Sequence, residues 1–404
     1  MKLKKIPKQL ADYWYSVKDQ FHYGYYHVFC WVLVAHCVHP GKCNLKALCR
    51  WIPEKIVYKQ LVRLLQSNRW NFMRIFYWHV NQVWRKLPPA DDNTIFQIID
   101  KTLIEKTGKK HPYNRKVNTG YGVRWHFGFY VTILVVHWGP YRFPVDFRLV
   151  TPKNHPQHQT PNELFREMFD NFIPPDWCKK VVVLGDSGFA AKANLQKILR
   201  KGAEYKSSGI EYFFIFSFPR TWKLDGEVNA SGKAKSLKDI VQYLPRCHYK
   251  KTWFTNDRNK RRVYWTFTRK ACLNGVGDVT IILSKKRRNS SPKKAKIFVT
   301  NIPATKAADI LKAYSRRWYT EVLNHELKSA CGLGHHQVTK KAPRVERSVA
   351  ISMITYLTIF RFEADKIKPG EHWSINTLKH FFTIRIFQSQ SEQKKLTKPK
   401  KNVA

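Results

Sequence analysis

Acidic residues are scarce in this sequence. The 404-residue chain contains 28 Asp and Glu against 73 Lys and Arg, which gives a formal net charge of +45. A surplus of that size repels itself unless a polyanion neutralises it, so a nucleic acid is the first candidate partner and an anionic membrane the second. The cations are spread over the whole length, which indicates a broad basic surface and not a charged tail.

Long hydrophobic runs are also missing. A membrane-spanning helix needs roughly 18 to 20 apolar residues, whereas the longest runs here, at 28–38 and 350–360, are shorter and contain His or Thr. The positively charged start of the chain is not followed by a small-residue cleavage pattern, so we expect no signal peptide. These absences predict a cytoplasmic protein without a membrane partner.

Paired cysteine motifs are absent as well. The eight Cys show no CxxC spacing, and scattered thiols are typical of a reducing cytoplasm. We favour buried thiols over a structural zinc site because the ligand spacing of such sites is missing. The densest group comprises Cys30, Cys37, Cys43, Cys49, His27, His36 and His39.

The composition is that of a packed globular protein. Hydrophobic residues make up 43% of the chain and aromatic residues 14%, and the length suffices for two or three domains. Changes in pattern along the chain predict five segments. These are a helical unit at 1–90, an α/β unit at 91–218, a β-rich insertion at 219–300, a continuation of the α/β unit at 301–387, and a disordered basic tail at 388–404.

The N-terminal unit contains a short pair of amphipathic patterns at 44–70 with Lys and Arg on the outside. This pattern is typical of a DNA-binding helix-turn-helix, but a simple helical bundle explains it equally well. Two prolines and two acids at 81–93 predict a linker.

The α/β unit alternates strand-like and helix-like patterns. Residues 94–100 form an apolar run ending in Asp100, and residues 180–186 form a fully apolar strand ending in Asp186. Gly139–Pro140 separates two further strand patterns and predicts a hairpin. We expect a mixed α/β sheet with acids at strand ends, an arrangement suited to metal chemistry.

A helical pattern free of internal Gly and Pro runs from 304 to 333 and stops near Gly332. On a helical wheel, Tyr314 and Lys328 fall within about 20° of Glu321 and Arg317 within about 40°. If one helix covers the whole stretch, these four side chains share a face. A solvated charged face is the simpler interpretation, but few acids lie near these cations.

The spacing Y-x2-R-x3-E-x6-K of Tyr314, Arg317, Glu321 and Lys328 resembles the YREK signature of DDE transposases encoded by bacterial insertion sequences. Asp100 in IIDKT and Asp186 in VVVLGDSGF lie in contexts similar to those of this family, and the resemblance covers roughly residues 40–365. It implies an RNase H-like catalytic domain, interrupted by a β-rich insertion and preceded by a helical N-terminal DNA-binding domain.

The resemblance also implies a site. Asp100, Asp186 and Glu321 would be the catalytic residues and the ligands of two Mg²⁺ ions, which Mn²⁺ can replace. Paired divalent ions activate the attacking oxygen and stabilise the leaving oxygen of a phosphodiester, and hard ions require carboxylates. Tyr314, Arg317 and Lys328 would hold DNA phosphates.

The implied function is cut-and-paste transposition in the bacterial nucleoid. A homodimer would bring together two ends of double-stranded transposon DNA in a synaptic complex, cleave them, in some cases through a hairpin end, and join the 3′-hydroxyls to target DNA. Bases flipped during hairpin formation would stack on an aromatic ring, for which Trp222, Trp253 and Trp265 are candidates. The alternatives are a metal-dependent nuclease of the same fold and a domesticated DNA-binding protein without catalysis.

Overall fold

Five helices open the chain in the computed structural model, which describes residues 3–22, 24–53, 55–106, 111–118, 125–303, 306–335, 341–368 and 370–396. They are α1 (Lys8–Tyr15), α2 (Tyr25–Val38), α3 (Leu45–Leu48), α4 (Tyr58–Gln66) and α5 (Phe72–Lys86). The helical character predicted for the N-terminal unit is therefore confirmed. The expected linker is shorter than predicted, because α5 continues to Lys86.

The described residues of 44–70 do not form the tight turn that a helix-turn-helix, one of the two interpretations of this segment, requires. Helix α3 has a single turn, and residues 49–57 separate it from α4 where the expected connection is a tight turn. Pro53 lies in this connection, and proline cannot continue a helix interior. The alternative of a bundle is the observed arrangement, since α2, α4 and α5 all pack on the C-terminal helix α11 (Ala342–Glu363).

The thiols belong to this bundle. Cys30, Cys37 and Cys43 are buried, as predicted for structural thiols, and burial raises the pKa of the Cys30 thiol to about 12. None of the described helices is long and apolar enough to cross a membrane.

Twelve strands of the described residues form one mixed sheet, in the order β2-β3-β1-β5-β6-β12-β11-β10-β7-β8, with β4 on β3 and β9 on β10. Strands β1, β5 and β6 run parallel, and β3 pairs antiparallel with both β1 and β4. Their bounds are β1 Thr94–Glu105, β2 Arg115–Asn118, β3 Trp125–Trp138, β4 Tyr141–Leu149, β5 Lys180–Gly185, β6 Glu211–Ser217, β7 Lys223–Val228, β8 Ala234–Ser236, β9 Lys250–Thr255, β10 Arg261–Leu273, β11 Gly277–Lys285 and β12 Lys296–Thr300. The mixed α/β sheet and the hairpin at Gly139–Pro140 are confirmed.

The insertion is β-rich as predicted, with one short helix, α8 (Leu237–Tyr243), among its strands. It does not form a sheet of its own. Strand β12 returns from the insertion and pairs antiparallel with β6, so the insertion extends the central sheet. Two helices, α6 (Pro161–Asn171) and α7 (Lys192–Tyr205), lie between strands of the central part in sequence.

The single helix predicted for 304–333 is two helices, α9 (Ala307–Ser315) and α10 (Trp318–Ser329). At the junction, the N–H groups of Arg316 and Arg317 donate to carbonyls three residues earlier, at 3.1 and 3.0 Å. This is the tighter 3₁₀ pattern, so the α-helical wheel does not hold across the junction. The glycine stop is confirmed: Gly332 has φ of +81°, and a Cβ there would lie 2.7 Å from Cβ of Cys43.

The prediction of a disordered basic tail from residue 388 is wrong for its first part. Helix α12 runs from Ile375 to Leu396, whereas residues 397–404 lie outside the described part of the chain. Leu378, Phe382 and Ile386 are buried at i, i+4 spacing. This buried apolar face stabilises the first turns of α12. Each further residue then adds one backbone hydrogen bond, so the helix continues into the polar part of the tail.

His79 gives the bundle a dependence on pH. It is fully buried in α5, and its Nδ1 lies 2.8 Å from the Ile75 carbonyl; burial lowers its pKa from 6.5 to about 4. Between these values the unfolded chain binds a proton that the folded chain does not, so stability falls as the pH drops from about 6.5 to about 4. We expect His79→Phe to remove this contribution, which amounts to about 3 kcal/mol at most.

Urea titrations of the wild type and of His79→Phe at pH 7 and pH 5 measure this effect. Buried carboxyls have the opposite effect, because burial raises the pKa of Asp146 to about 6 and stability then rises on acidification. This contribution is the same in both proteins. An equal loss of stability on acidification in the two proteins would show that His79 binds its proton as readily in the folded chain as in the unfolded chain.

Candidate active site

Asp100 and Asp186 lie on adjacent parallel strands. Asp100 is in β1 and Asp186 directly follows β5, and each stands two residues beyond the in-register pair Ile98–Leu184. Neighbouring strands are about 4.8 Å apart, so the two acids begin from neighbouring backbone positions. Strand β1 continues past Asp100 to Glu105, because β3 pairs with it over that length.

The Asp100 carboxylate is held at both oxygens. Its Oδ1 accepts the N–H of Lys101 at 2.8 Å, and its Oδ2 lies 3.5 Å from Nδ2 of Asn324 and 4.0 Å from Nη1 of Arg317. Burial raises the pKa of Asp100 to about 6; the Lys101 N–H and Arg317 oppose this rise, and the charges of Asp186 and Glu321 add to it. The charges of the other two predicted acids therefore reach Asp100.

Asp186 is fixed by the turn that follows β5. The N–H of Gly188 donates to its Oδ1 at 2.8 Å, and the N–H of Phe189 donates to its carbonyl at 3.1 Å. A Cβ at position 188 would lie 3.1 Å from Oδ1 of Asp186. Gly188, the second glycine of the GDSG sequence, thus lets the backbone come close to the Asp186 carboxylate.

Glu321 lies in the first turn of α10 and accepts a hydrogen bond from the guanidinium of Arg317. Since Arg317 also faces Asp100, the guanidinium lies between two of the three acids. As these side chains are placed, no group of three His, Cys, Asp or Glu among the described residues could hold a metal ion. The structure brings the three acids to one region, with Glu321 bound to a cation of the protein itself.

The other two residues of the spacing motif differ in their surroundings. Tyr314 packs its ring on Phe298, with centroids 4.6 Å apart. Lys328 lies on the Asp100 side: burial lowers its pKa, and the charges of Glu105 and Asp100 partly offset this. The charges of Arg317 and Asp186 also act on the Tyr314 hydroxyl, so Tyr314 lies beside the acids although the α9–α10 junction separates it from Glu321.

Tyr314 borders a cavity of about 840 Å³ between the insertion and α9. None of the described residues that line this cavity is acidic, so it is suited to an anion. Its lining includes Phe254, Tyr264, Lys286, Arg287, Lys294, Lys296, Phe298 and Tyr314.

Residues outside the motif also position the site. Asn324 lies one helical turn after Glu321, and the i, i+3 spacing could have identified it as a neighbour. Arg316 binds Asp257 through two hydrogen bonds of 2.9 and 3.2 Å and covers the Phe96 ring at 4.2 Å. The turn between β9 and β10 is thereby attached to the α9–α10 junction, and no sequence pattern indicated this contact.

A buried ion pair anchors the helix that carries Glu321. Nη2 of Arg142 in β4 lies 2.9 Å from Oε1 of Glu326 in α10, and the side chains are 4% and 3% exposed. The same oxygen accepts the N–H of Ile375 at 2.9 Å, and Arg142 lies 3.8 Å from the Trp373 ring centroid. Helix α10 is therefore bound to the sheet and to the start of α12.

The three tryptophans proposed for base stacking differ in exposure. Trp222 is half-buried and donates its indole N–H to the Ala190 carbonyl at 3.1 Å. Trp265 is half-buried, whereas the side chain of Trp253 is 56% exposed. Trp253 therefore presents the most accessible ring of the three.

No curated protein matches the chain significantly. A solved cryo-EM structure of a piggyBac transposase synaptic complex with hairpin DNA aligns with 98% of this chain and 79% of its own, at 9% identity and a TM-score of 0.48. A likeness of this degree does not bear on function.

The transposase DDE domain family matches residues 93–357, which is well over half of the chain. The match spans the central strands, the insertion and the two helices α9 and α10, and it includes Asp100, Asp186 and Glu321. The chain therefore belongs to the transposase DDE domain family.

Proposed function

We propose that the protein is a DNA transposase that binds the ends of its insertion sequence, cleaves them by metal-dependent hydrolysis and transesterification, and joins the 3′-hydroxyl ends to target DNA. The observation that carries this proposal is the placement of Asp100 and Asp186 on adjacent parallel strands with Glu321 within electrostatic reach. We place these three residues as the catalytic acids of an RNase H-like domain.

The donor set fits a hard divalent ion. Carboxylate oxygens are preferred ligands of Mg²⁺ and Mn²⁺, and the raised pKa of Asp100 reflects burial together with two neighbouring negative charges. A bound cation would offset that repulsion. When bound, it would supply Lewis-acid activation of the phosphodiester and of the attacking oxygen. Asp100, Asp186 and Glu321 would hold it.

Arg317 has two roles in this proposal. In the structure its guanidinium is bound to Glu321 and faces Asp100, so it neutralises part of the carboxylate charge that a metal ion needs. A DNA phosphate is a competing bidentate partner for the same guanidinium. Arrival of DNA would thus draw Arg317 away from Glu321 and leave the carboxylate free for a metal ion.

We expect Arg317→Gln to bind Mn²⁺ at least about tenfold more tightly than the wild type in the absence of DNA. The reason is that a positive charge about 4 Å from the acids is worth several kcal/mol at the effective dielectric constant of a protein site, and 1.4 kcal/mol is tenfold in affinity. Titration calorimetry or Mn²⁺ electron paramagnetic resonance on the DNA-free protein measures this affinity.

Lys312→Gln is the matched control. Lys312 is an exposed cation of the preceding helix α9, so we expect its replacement to leave Mn²⁺ affinity within about twofold of the wild type, less than 0.5 kcal/mol. If Arg317→Gln bound Mn²⁺ no more tightly than this control, Arg317 would not limit access to Glu321.

The basic surface suits the proposed substrate. We assign Tyr314, Arg317 and Lys328 to the DNA phosphates near the scissile bond, and the cationic cavity beside Tyr314 to the same strand. With a net charge of +45, binding should weaken steeply with added salt. We further propose that a homodimer pairs two transposon ends, that the ends can pass through a hairpin, and that the host is bacterial.

A plasmid carrying paired copies of the inverted repeats that flank the gene tests the proposal. Incubation with the protein and Mg²⁺ should give excised element and products joined to target DNA. Cleavage without joining would indicate a nuclease, and binding without cleavage would indicate a domesticated DNA-binding protein. Either of these two results would overturn the proposed function.

A further inference from the structure

Asn324 is a buried polar residue on the helix that carries Glu321. It lies three residues after Glu321 in α10, and side chains at this spacing are neighbours on one face of a helix. The residue is 8% exposed, and α10 packs on β1, the strand that contains Asp100. Asn324 is therefore a neighbour of Glu321 along the helix and of Asp100 across the contact with the sheet.

Within the described part of the chain, only one end of the Asn324 carboxamide has a polar partner. Its Nδ2 faces Oδ2 of Asp100 at 3.5 Å, whereas its Oδ1 is buried and accepts no hydrogen bond from a described residue. Most buried polar atoms in proteins are paired, and an unpaired one costs about 1–3 kcal/mol. The buried oxygen therefore indicates a ligand that the fold itself does not supply.

Asn194 shows how this chain pairs an asparagine that has a structural role. It is fully buried in α7. Its Nδ2 donates to Oδ1 of Asn162 at 2.7 Å and to the Phe189 carbonyl at 2.9 Å, and its Oδ1 accepts Nη1 of Arg166 at 2.9 Å. Since both ends of that carboxamide are paired, burial alone does not explain the unpaired oxygen of Asn324.

The contact between Asn324 and Asp100 is longer than an ordinary hydrogen bond. Such bonds from N–H to oxygen are about 2.7–3.2 Å long, against 3.5 Å here, and Nη1 of Arg317 is 4.0 Å from the same oxygen. Adjacent oxygens around a six-coordinate Mg²⁺ are about 3 Å apart, because each bond is about 2.0–2.1 Å and the angles are near 90°. The observed separation is therefore close to that of two ligands of one ion.

A half-turn of the carboxamide exchanges its oxygen and its nitrogen. The terminal torsion of asparagine is broad and roughly two-fold, so this rotation places Oδ1 where Nδ2 now faces Asp100. The N–H group suits a carboxylate without a cation, and the oxygen suits a cation bound to that carboxylate. A carboxamide oxygen is a ligand that hard divalent ions accept, and it adds no further negative charge beside the acids.

We propose that Oδ1 of Asn324 is a further ligand of the divalent ion held by Asp100, Asp186 and Glu321. The inference rests on the proposed function in that these acids bind the ion. It adds a neutral ligand that belongs neither to the three acids nor to the spacing motif. The competing role is purely positional, in which Asn324 holds Asp100 through Nδ2 and does not touch the ion.

Replacement by alanine and by aspartate distinguishes the two roles. Asn324→Ala removes both polar atoms and leaves room for a water, whereas Asn324→Asp keeps an oxygen and removes the N–H donor. We expect Asn324→Ala to bind Mn²⁺ at least about tenfold more weakly, since even the loss of a group that only supports a ligand costs that much. Its bound Mn²⁺ should carry about one more water than in the wild type. Asn324→Asp should keep the water count of the wild type.

Pulsed electron paramagnetic resonance of bound Mn²⁺ in D₂O counts these waters, and a Mn²⁺ titration gives the affinity, both on the full chain without DNA. Asn81→Ala is the matched control, because Asn81 is an exposed asparagine of helix α5; it should match the wild type in both measurements. Equal water counts in the wild type and Asn324→Ala would overturn the proposal, since Asn324 would then act only on Asp100. If neither the wild type nor Asn324→Asp bound Mn²⁺, the metal site of the proposed function would itself be wrong, and this inference with it.

Discussion

Glu321→Gln is expected to lower the rate of strand cleavage by about 10³-fold or more. The substitution keeps the size of the side chain and removes the negative charge that we assign to metal binding and that pairs with Arg317. Metal-ion activation is worth several kcal/mol of transition-state stabilisation, and each 1.36 kcal/mol is tenfold in rate. Single-turnover cleavage of a labelled element-end duplex in Mg²⁺ measures the change.

Glu211→Gln is the control for this substitution. Glu211 begins β6 in the same sheet and is exposed, so its replacement should leave the rate within about twofold of the wild type, as expected for a surface position. Equal urea midpoints for the three proteins would show that folding is unchanged. Cleavage by Glu321→Gln at the wild-type rate would mean that the site is assigned to the wrong carboxylate.

Arg142→Met is expected to destabilise the protein by about 3–5 kcal/mol, the usual cost of leaving one member of a buried ion pair without its partner. Glu326 would then be a buried carboxylate whose remaining hydrogen bond comes from the N–H of Ile375. The stacking of Arg142 on Trp373 would also be lost. Urea unfolding followed by circular dichroism measures the loss.

The double variant Arg142→Met with Glu326→Met distinguishes the effect of an unpaired buried charge from the effect of altered packing. Two apolar side chains of similar length leave no isolated charge, so stability should recover most of the way to the wild type. A loss below about 1 kcal/mol in Arg142→Met alone would place the anchoring of α10 elsewhere, since that is the range of exposed ion pairs.

Several elements follow from local pattern. The apolar run before Asp186 forms β5, the run through Asp100 forms β1, and Gly139–Pro140 joins β3 to β4. Each of these depends on residues near one another in sequence, namely a strand-length apolar run or a turn dipeptide. The β-rich character of residues 219–300 can be predicted from the sequence for the same reason.

Other features depend on contacts between distant residues. The 3₁₀ junction at Arg316–Arg317 lies in a stretch without Gly or Pro, and Arg316 there pairs with Asp257, 59 residues away. The union of the insertion with the central sheet rests on the pairing of β12 with β6. The pattern at 44–70 is compatible with a helix-turn-helix or a bundle, and the packing of the distant helix α11 on α2, α4 and α5 makes it part of a bundle.

The sequence by itself determined the family, the residue types of the site and the spacing of Tyr314, Arg317, Glu321 and Lys328, because these are properties of residue order. Only the tertiary structure decided that Arg317 pairs with Glu321 beside Asp100 and that Asn324 faces the same carboxylate of Asp100. The period of a helix shows which side chains share a face, but which strand that face meets depends on the packing of α10 on β1 across the 224 residues that separate Asn324 from Asp100.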